Sequence, residues 1–310
     1  MARISAFMHV NVNCRDLARS RRFYEGGLGL TSTAHTRPEK PQPGEGFGLP
    51  GEVHWDAHIL SDPRGFGVSA ALDLLQWELP APIGTPPELA PTIGIHRLGY
   101  EVRSLADTIA RLEEAGGRGG RPFSCERGGR TVELAWVRDP DGTVVELIEE
   151  PSLPIAVAAR HVVLVCSDLG RSADWFESTL GLDVIATEGP ADVPAIAFAE
   201  SGTAVCEAAV LTAPGAGDGY RLRLERWLAP AAIARAPAVA NQVGPFRVAL
   251  LVDDVHAFHA DLRRRGTRFP SAPVWLDMGP EIPIDGLWAL FFPDPDGACV
   301  ELIQTPEPRG

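Results

Sequence analysis

The chain is 310 residues long, 45% hydrophobic, and carries a formal charge of −13 at pH 7 with an isoelectric point near 5.1. That length supports two domains with real cores. The acidic balance excludes nucleic acid or an anionic membrane surface as the main partner, because both need a basic patch.

No stretch reaches the roughly 18 apolar residues of a membrane span. The opening MARISAFMHVNVN lacks the charged region, apolar core and cleavage site of an export signal. Five cysteines (Cys14, Cys125, Cys166, Cys206, Cys299) are odd in number and form no CxxC pair. A reduced, cytoplasmic protein, monomer or homodimer, is the expectation.

In chain order the sequence repeats itself. HVNVNCRDLARSRRFYEGGLGL starts at His9, and HVVLVCSDLGRSADWFESTLGLDVI starts at His161, 152 residues on. Weaker copies begin at Arg97 (RLGYEVRSLADTIARLEEAGG) and Arg247 (RVALLVDDVHAFHADLRRRG). The chain thus holds four modules, roughly 5–78, 94–150, 158–228 and 244–305. Taken along the chain, these make a domain over 1–150 and another over 158–310. Each module opens with an alternating strand, as where Leu98, Tyr100 and Val102 share a face. A capped helix follows, at Asp16, Ser104, Asp168 or Asp254. Its apolar positions recur at helical spacing (Leu105, Ile109, Leu112; Val255, Phe258, Leu262), and it ends at Gly26, Gly116, Gly181 or Gly266. About three strands complete the module. Pro-rich stretches such as ELPAPIGTPPELAPTIG read as surface connectors.

Two modules end alike, in RDPDGTVVELIEEP (Arg138–Pro151) and PDPDGACVELIQTP (Pro293–Pro306). Asp-Pro starts a tight turn and Gly closes it. The strand that follows places Glu146, or Glu301, amid apolar neighbours. A carboxylate there is costly unless something pairs with it.

These residues resemble the vicinal oxygen chelate superfamily of glyoxalase I, the fosfomycin and bleomycin resistance proteins and the extradiol dioxygenases. The resemblance rests on the D-L…FYE…LGL run from Asp16 to Leu30, its match from Asp168 to Leu182, and both DPDG-x-x-x-E-L stretches. It implies an α+β fold of βαβββ modules, two of which curl into a cupped half-barrel, hence two cups. It also implies where metal-using members keep their ligands. These are the first residue of two opening strands, the glutamate after DPDG, and at times an acid on the last strand of the first module. Carried over, His9 and His161 fit, as do Glu146 and Glu301. The histidine lies seven residues before the helix cap, and the same count from Ser104 and Asp254 reaches Arg97 and Arg247. His96, in phase with Leu98 and Tyr100, is expected to face the helix, as is Phe246. The fourth position holds Asp73 in ALDLLQW and Arg223 in RLRLERW.

Arginine has no lone pair to give a metal, but it pairs well with a buried carboxylate. The expectation is therefore that no metal or other cofactor is held. The candidate site residues are His9, Asp73, Arg97, Glu146, His161, Arg223, Arg247 and Glu301. If a divalent ion (iron, manganese, zinc or nickel) is held after all, His9, Asp73 and Glu146, or His161 and Glu301, are its ligands. Trp55, Trp77, Trp227, Trp275 and Trp288 are read as core, with one or two lining a pocket for a flat ligand. His54 and His58 share a face of one strand and are read as surface residues rather than an accessory metal site.

The functional expectation is metal-independent acid–base chemistry, of lyase, isomerase or cyclase type, on a medium-sized oxygenated organic molecule. The alternatives are a metal-free antibiotic-binding protein and a metal enzyme of the glyoxalase or ring-cleaving dioxygenase type. Whether modules pair in order or crossed is open, since His9 meets an Arg and a Glu either way.

Overall fold

The structure is a computed structural model that describes residues 3–194, 203–215 and 219–306. The first module contains β1 (Ile4–Asn13), β2 (Thr31–Thr36), β3 (Gln42–Pro43), β4 (Glu52–Ser61) and β5 (Ala71–Leu79). The second contains β6 (Gly94–Val102), β7 (Arg118–Gly119), β8 (Phe123–Arg127), β9 (Arg130–Arg138) and β10 (Val144–Glu149). The third has β11 (Val157–Val165), β12 (Asp183–Pro194), β13 (Thr203–Thr212) and β14 (Arg221–Ala229). The fourth has β15 (Gly244–Val252), β16 (Val274–Asp277), β17 (Gly286–Pro293) and β18 (Cys299–Gln304). One helix follows each opening strand: α1 (Leu17–Arg21), α2 (Leu105–Glu114), α3 (Leu169–Leu180) and α4 (Val255–Arg264).

Local chemistry sets the helices. The side chains of Asp16, Ser104, Asp168 and Asp254 accept from the backbone N–H three residues on, satisfying a donor that the first turn leaves orphaned. The first helix differs from expectation at its end. It runs past Gly26 as a wider π-turn over Arg22–Leu28 and stops at Gly29, whose φ of 93° suits glycine.

The strands form two sheets of nine described strands each, and each sheet takes one module from each half of the chain. In the first, β1 runs antiparallel to β15, with His9 opposite Ala249, so modules one and four share a cup. In the second, β11 runs antiparallel to β6, with His161 opposite Gly99, joining modules two and three. The pairing is crossed. The division into 1–150 and 158–310 describes the repeat along the chain, not the sheets. The helix-bearing faces of both sheets bury one continuous core, in which Val10, Phe23, Leu98, Tyr100, Phe176 and Leu250 all take part. Their opposite faces line the cups.

Candidate functional site

Each cup gathers its polar side chains at the seam where two opening strands meet. In cup I, of modules one and four, β1 supplies His9 and β15 supplies Arg247. The parallel partners of these strands, β5 and β18, supply Asp73 and Glu301. All four side chains are buried. The His9 Nε2 lies 3.1 Å from Glu301 Oε2 and 3.7 Å from Asp73 Oδ2. Arg247 spans the same two acids, donating from Nε to Glu301 Oε2 at 2.7 Å and from Nη2 to Asp73 Oδ2 at 2.7 Å. Asn11 Nδ2 adds a 3.1 Å bond to Asp73 Oδ2. Burial pushes the Glu301 carboxyl up, but Arg247 and His9 together bring it below the usual carboxylate range. Glu301 is therefore ionised at neutral pH and accepts the His9 Nε2–H. A shallow cleft stands over this group, walled by Phe47, Trp55, Leu276 and Leu287.

In cup II, of modules two and three, β6 supplies Arg97, β10 Glu146, β11 His161 and β14 Arg223. Glu146 is fully buried and takes five bonds: Arg97 Nε (2.9 Å), Arg127 Nη1 and Nη2 (2.6 and 2.8 Å), His161 Nε2 (2.7 Å) and Trp136 Nε1 (2.8 Å). A second acid, Glu225, accepts from Arg97 Nη2 at 2.6 Å and Arg223 Nε at 2.9 Å. Glu188 closes the set on Arg223 Nη2 at 2.8 Å. The Arg97 guanidinium lies 4.4 Å from the Trp136 ring centroid. Burial alone would raise Glu146; Arg127 and Arg97 hold it well below its ordinary value. Glu225, pushed up by burial and down by Arg97, Arg223 and Arg127, settles at about 2. Burial lowers His161, with Arg127 and Arg223 adding to the effect against the pull of Glu146. Three arginines thus face three carboxylates across a histidine biased toward neutrality. A narrow cleft beside them is walled by Phe123, Trp136, Val193 and Trp227.

The eight expected site residues therefore fall into two groups of four: His9, Asp73, Arg247 and Glu301, and Arg97, Glu146, His161 and Arg223. Each glutamate has its arginine. Sequence reasoning missed Arg127, Trp136, Glu188 and Glu225 in cup II. Of these, only Glu225 left a readable signal, since alternation in RLRLERW puts it on the face of Arg223.

His96 corrects an expectation. A β-bulge between Arg97 and Ile95 breaks the strand phase, so Ile95 joins the helix-side core. The His96 ring instead lies 6.4 Å from Trp136, with Nε2 3.2 Å from the Leu89 carbonyl. Burial drives its pKa down to about 3. Phe246 likewise packs with the cup I aromatics rather than against a helix. Trp55 and Trp227 line the clefts, Trp77 is core, and Trp275 and Trp288 stack edge-on away from both.

A divalent ion of the sort many members of such families use does not fit these sites. In cup I, three donors of the right type converge, but Arg247 holds both acids at 2.7 Å and puts a fixed cation where the fourth ligand would bind. In cup II, Arg97 and Arg127 occupy Glu146 in the same way.

Four βαβββ modules closing as two cups, each with a His, an Arg and carboxylates at its floor, define a paired-module small-molecule fold. The chain belongs to the Glyoxalase/Bleomycin resistance protein/Dioxygenase superfamily, whose family model matches residues 6–147 and again 158–302. Among solved structures it is similar to glyoxalase I from Zea mays. That match has 20% identity and a TM-score of 0.62–0.65 across structures, and in the wild-type comparison it covers 98% of this chain and 92% of that one. It is also similar to a putative dioxygenase from Bacillus subtilis subsp. subtilis str. 168, with 17% identity, a TM-score of 0.57, and coverage of 99% and 87%. At such identities the likeness is one of fold. No curated protein sequence matches the chain. No helix among the described residues is long and apolar enough to cross a membrane.

Proposed function

We propose that cup I takes a medium-sized oxygenated organic molecule and moves a proton on it without a metal, in chemistry of lyase, isomerase or cyclase type within specialised metabolism. One observation carries the reading. Arg247 Nη1 is a buried guanidinium nitrogen with no partner, beside His9 in the cleft wall. An unsatisfied charged donor of this kind suits a ligand carbonyl or enolate oxygen, which gains negative charge as an adjacent C–H is lost. With Nε2–H held by Glu301, the His9 lone pair is on Nδ1, the atom that takes the proton, and Glu301 and Asp73 hold the ring and balance the imidazolium that forms. Cup II has an unpartnered buried nitrogen of its own, Arg97 Nη1, but there three arginines stand against three carboxylates, whereas in cup I one arginine and a histidine serve two acids.

The test is a thermal-shift screen of oxygenated metabolites, with each stabilising ligand then incubated and followed by proton NMR. The proposal expects solvent-exchange or conversion of a ligand that His9→Asn abolishes and His161→Asn leaves in place. Stabilisation with every ligand recovered unchanged, and no deuterium gained, overturns the enzymatic reading. That outcome would favour the second reading, a holding protein, for which the apolar wall of Phe47, Trp55 and Leu276 speaks.

A further inference from the structure

Outside both cups, β4 turns Trp55 and Ile59 to the cup I cleft and alternates Asp56 and His58 on its other face. Its neighbour β2 sets His35 directly opposite His58. The two imidazoles stack with centroids 4.4 Å apart and planes 10° from parallel. His35, Asp56 and His58 each bring a ligand-type atom within 4.8 Å of the others, and all three are only half-buried.

The hydrogen bonds around them decide what each nitrogen can do. Arg21 Nη1, which can only donate, lies 3.2 Å from His58 Nε2. Nε2 therefore carries the lone pair, and Nδ1–H donates to Ser32 Oγ at 2.8 Å. His35 Nε2 lies 2.7 Å from Asp56 Oδ1, and its Nδ1 lies 3.0 Å from Glu281 Oε2.

We propose that this outer face is a divalent transition-metal site of zinc type, with His35 Nε2, the Asp56 carboxylate and His58 Nε2 as ligands and water completing the shell. Two imidazoles and one carboxylate favour zinc, nickel or copper over magnesium or calcium. Each ligand imidazole also has its outer nitrogen on an acceptor, Glu281 for His35 and Ser32 for His58, the arrangement that orients metal-binding histidines. Three adjustments accompany binding. His35 releases to solvent the Nε2 proton that it donates to Asp56 Oδ1. Arg21 withdraws Nη1 while keeping Glu25 through Nε at 2.8 Å and Nη2 at 3.2 Å. The rings also tilt out of their stack, because parallel rings cannot both point at one ion about 2 Å from each nitrogen.

The site has a structural consequence. Glu281 lies between β16 and β17 of module four, whereas the three ligands belong to module one. Nearby, Arg37 N donates to the Met278 carbonyl at 3.2 Å and Gln42 brackets the Asp277 backbone with two 2.8 Å bonds. A metal here fastens the rim of cup I across the module seam.

The test is equilibrium dialysis of the folded, chelator-stripped and untagged full chain against zinc chloride, with the visible spectrum of bound cobalt as a second readout. One saturable equivalent is expected for the wild-type chain and for Glu301→Gln. At least about tenfold weaker binding is expected for His58→Gln and Asp56→Asn, and a loss of similar order for Ser32→Ala. Circular dichroism checks that each variant is folded, and His35→Gln replaces any that is not. No saturable uptake by the wild-type chain overturns the proposal. So does uptake that Glu301→Gln abolishes and His58→Gln spares, which would put the ion in cup I.

Discussion

The two cups are built from the same module and hold the same His–Arg–Glu core, yet they are balanced differently. Cup II sets Arg97, Arg127 and Arg223 against Glu146, Glu188 and Glu225, and every one of these pairs is direct. Cup I sets Arg247 alone against Asp73 and Glu301, with His9 between them. A closed network is costly to open, because removing one partner strands another buried charge. In cup I a single arginine and a histidine share two acids, so fewer buried charges depend on one another. Even the floor differs. A side chain at Gly99 would begin 2.1 Å from His161 Nε2, whereas cup I carries Ala249 opposite His9. Glycine lets the His161 ring lie flat into its network.

The contrast breaks most visibly in stability. Glu146→Ala leaves five donors without an acceptor and is expected to cost about 3–5 kcal/mol in urea unfolding. Glu301→Ala, after which Arg247 keeps Asp73, is expected to cost under about 2 kcal/mol. Equal losses would mean that the two cups are equally structural. In activity the order reverses. Once a substrate is in hand, His9→Asn is expected to lower kcat about 100-fold or more, while His161→Asn leaves it within a factor of about two.

A sharper test gives a cup its missing lone pair. Arg247→His is expected to raise the affinity of cup I for nickel or manganese by about tenfold or more over the wild-type chain, read by competition with a chelating dye. Arg97→His gains nothing, since Arg127 still occupies Glu146. The smallest effect at neutral pH is electrostatic. Glu225 has its folded pKa depressed to about 2, so its stabilisation is complete above the ordinary carboxylate range and is lost as pH falls through about 2. Chemical unfolding between pH 5 and 2 should show a steep acid loss in the wild-type chain that Glu225→Gln flattens.

The modules, their caps and the eight candidate side chains were legible because each is set locally. Counting back from Ser104 and Asp254 finds Arg97 and Arg247 without knowing any long-range contact. What stayed hidden depends on pairing across the chain. Arg127 and Glu188 meet the floor of cup II only because modules two and three share a sheet. His35 meets His58 only through the register of β2 on β4. The bulge at His96 shifted a strand phase that simple alternation carries straight through.

The crossed pairing also orders events in time. Cup II is contiguous, from β6 to β14, and is complete once synthesis reaches Ala229. Cup I joins the two ends of the chain, with His9 and Asp73 made first and Arg247 and Glu301 made last. Until β15 emerges, β1 is an unpaired edge that must be kept from other strands. A chain cut in the connector after β14 therefore divides cup I into halves, one bearing the histidine and the other the arginine. Neither half has a complete floor until they reassociate.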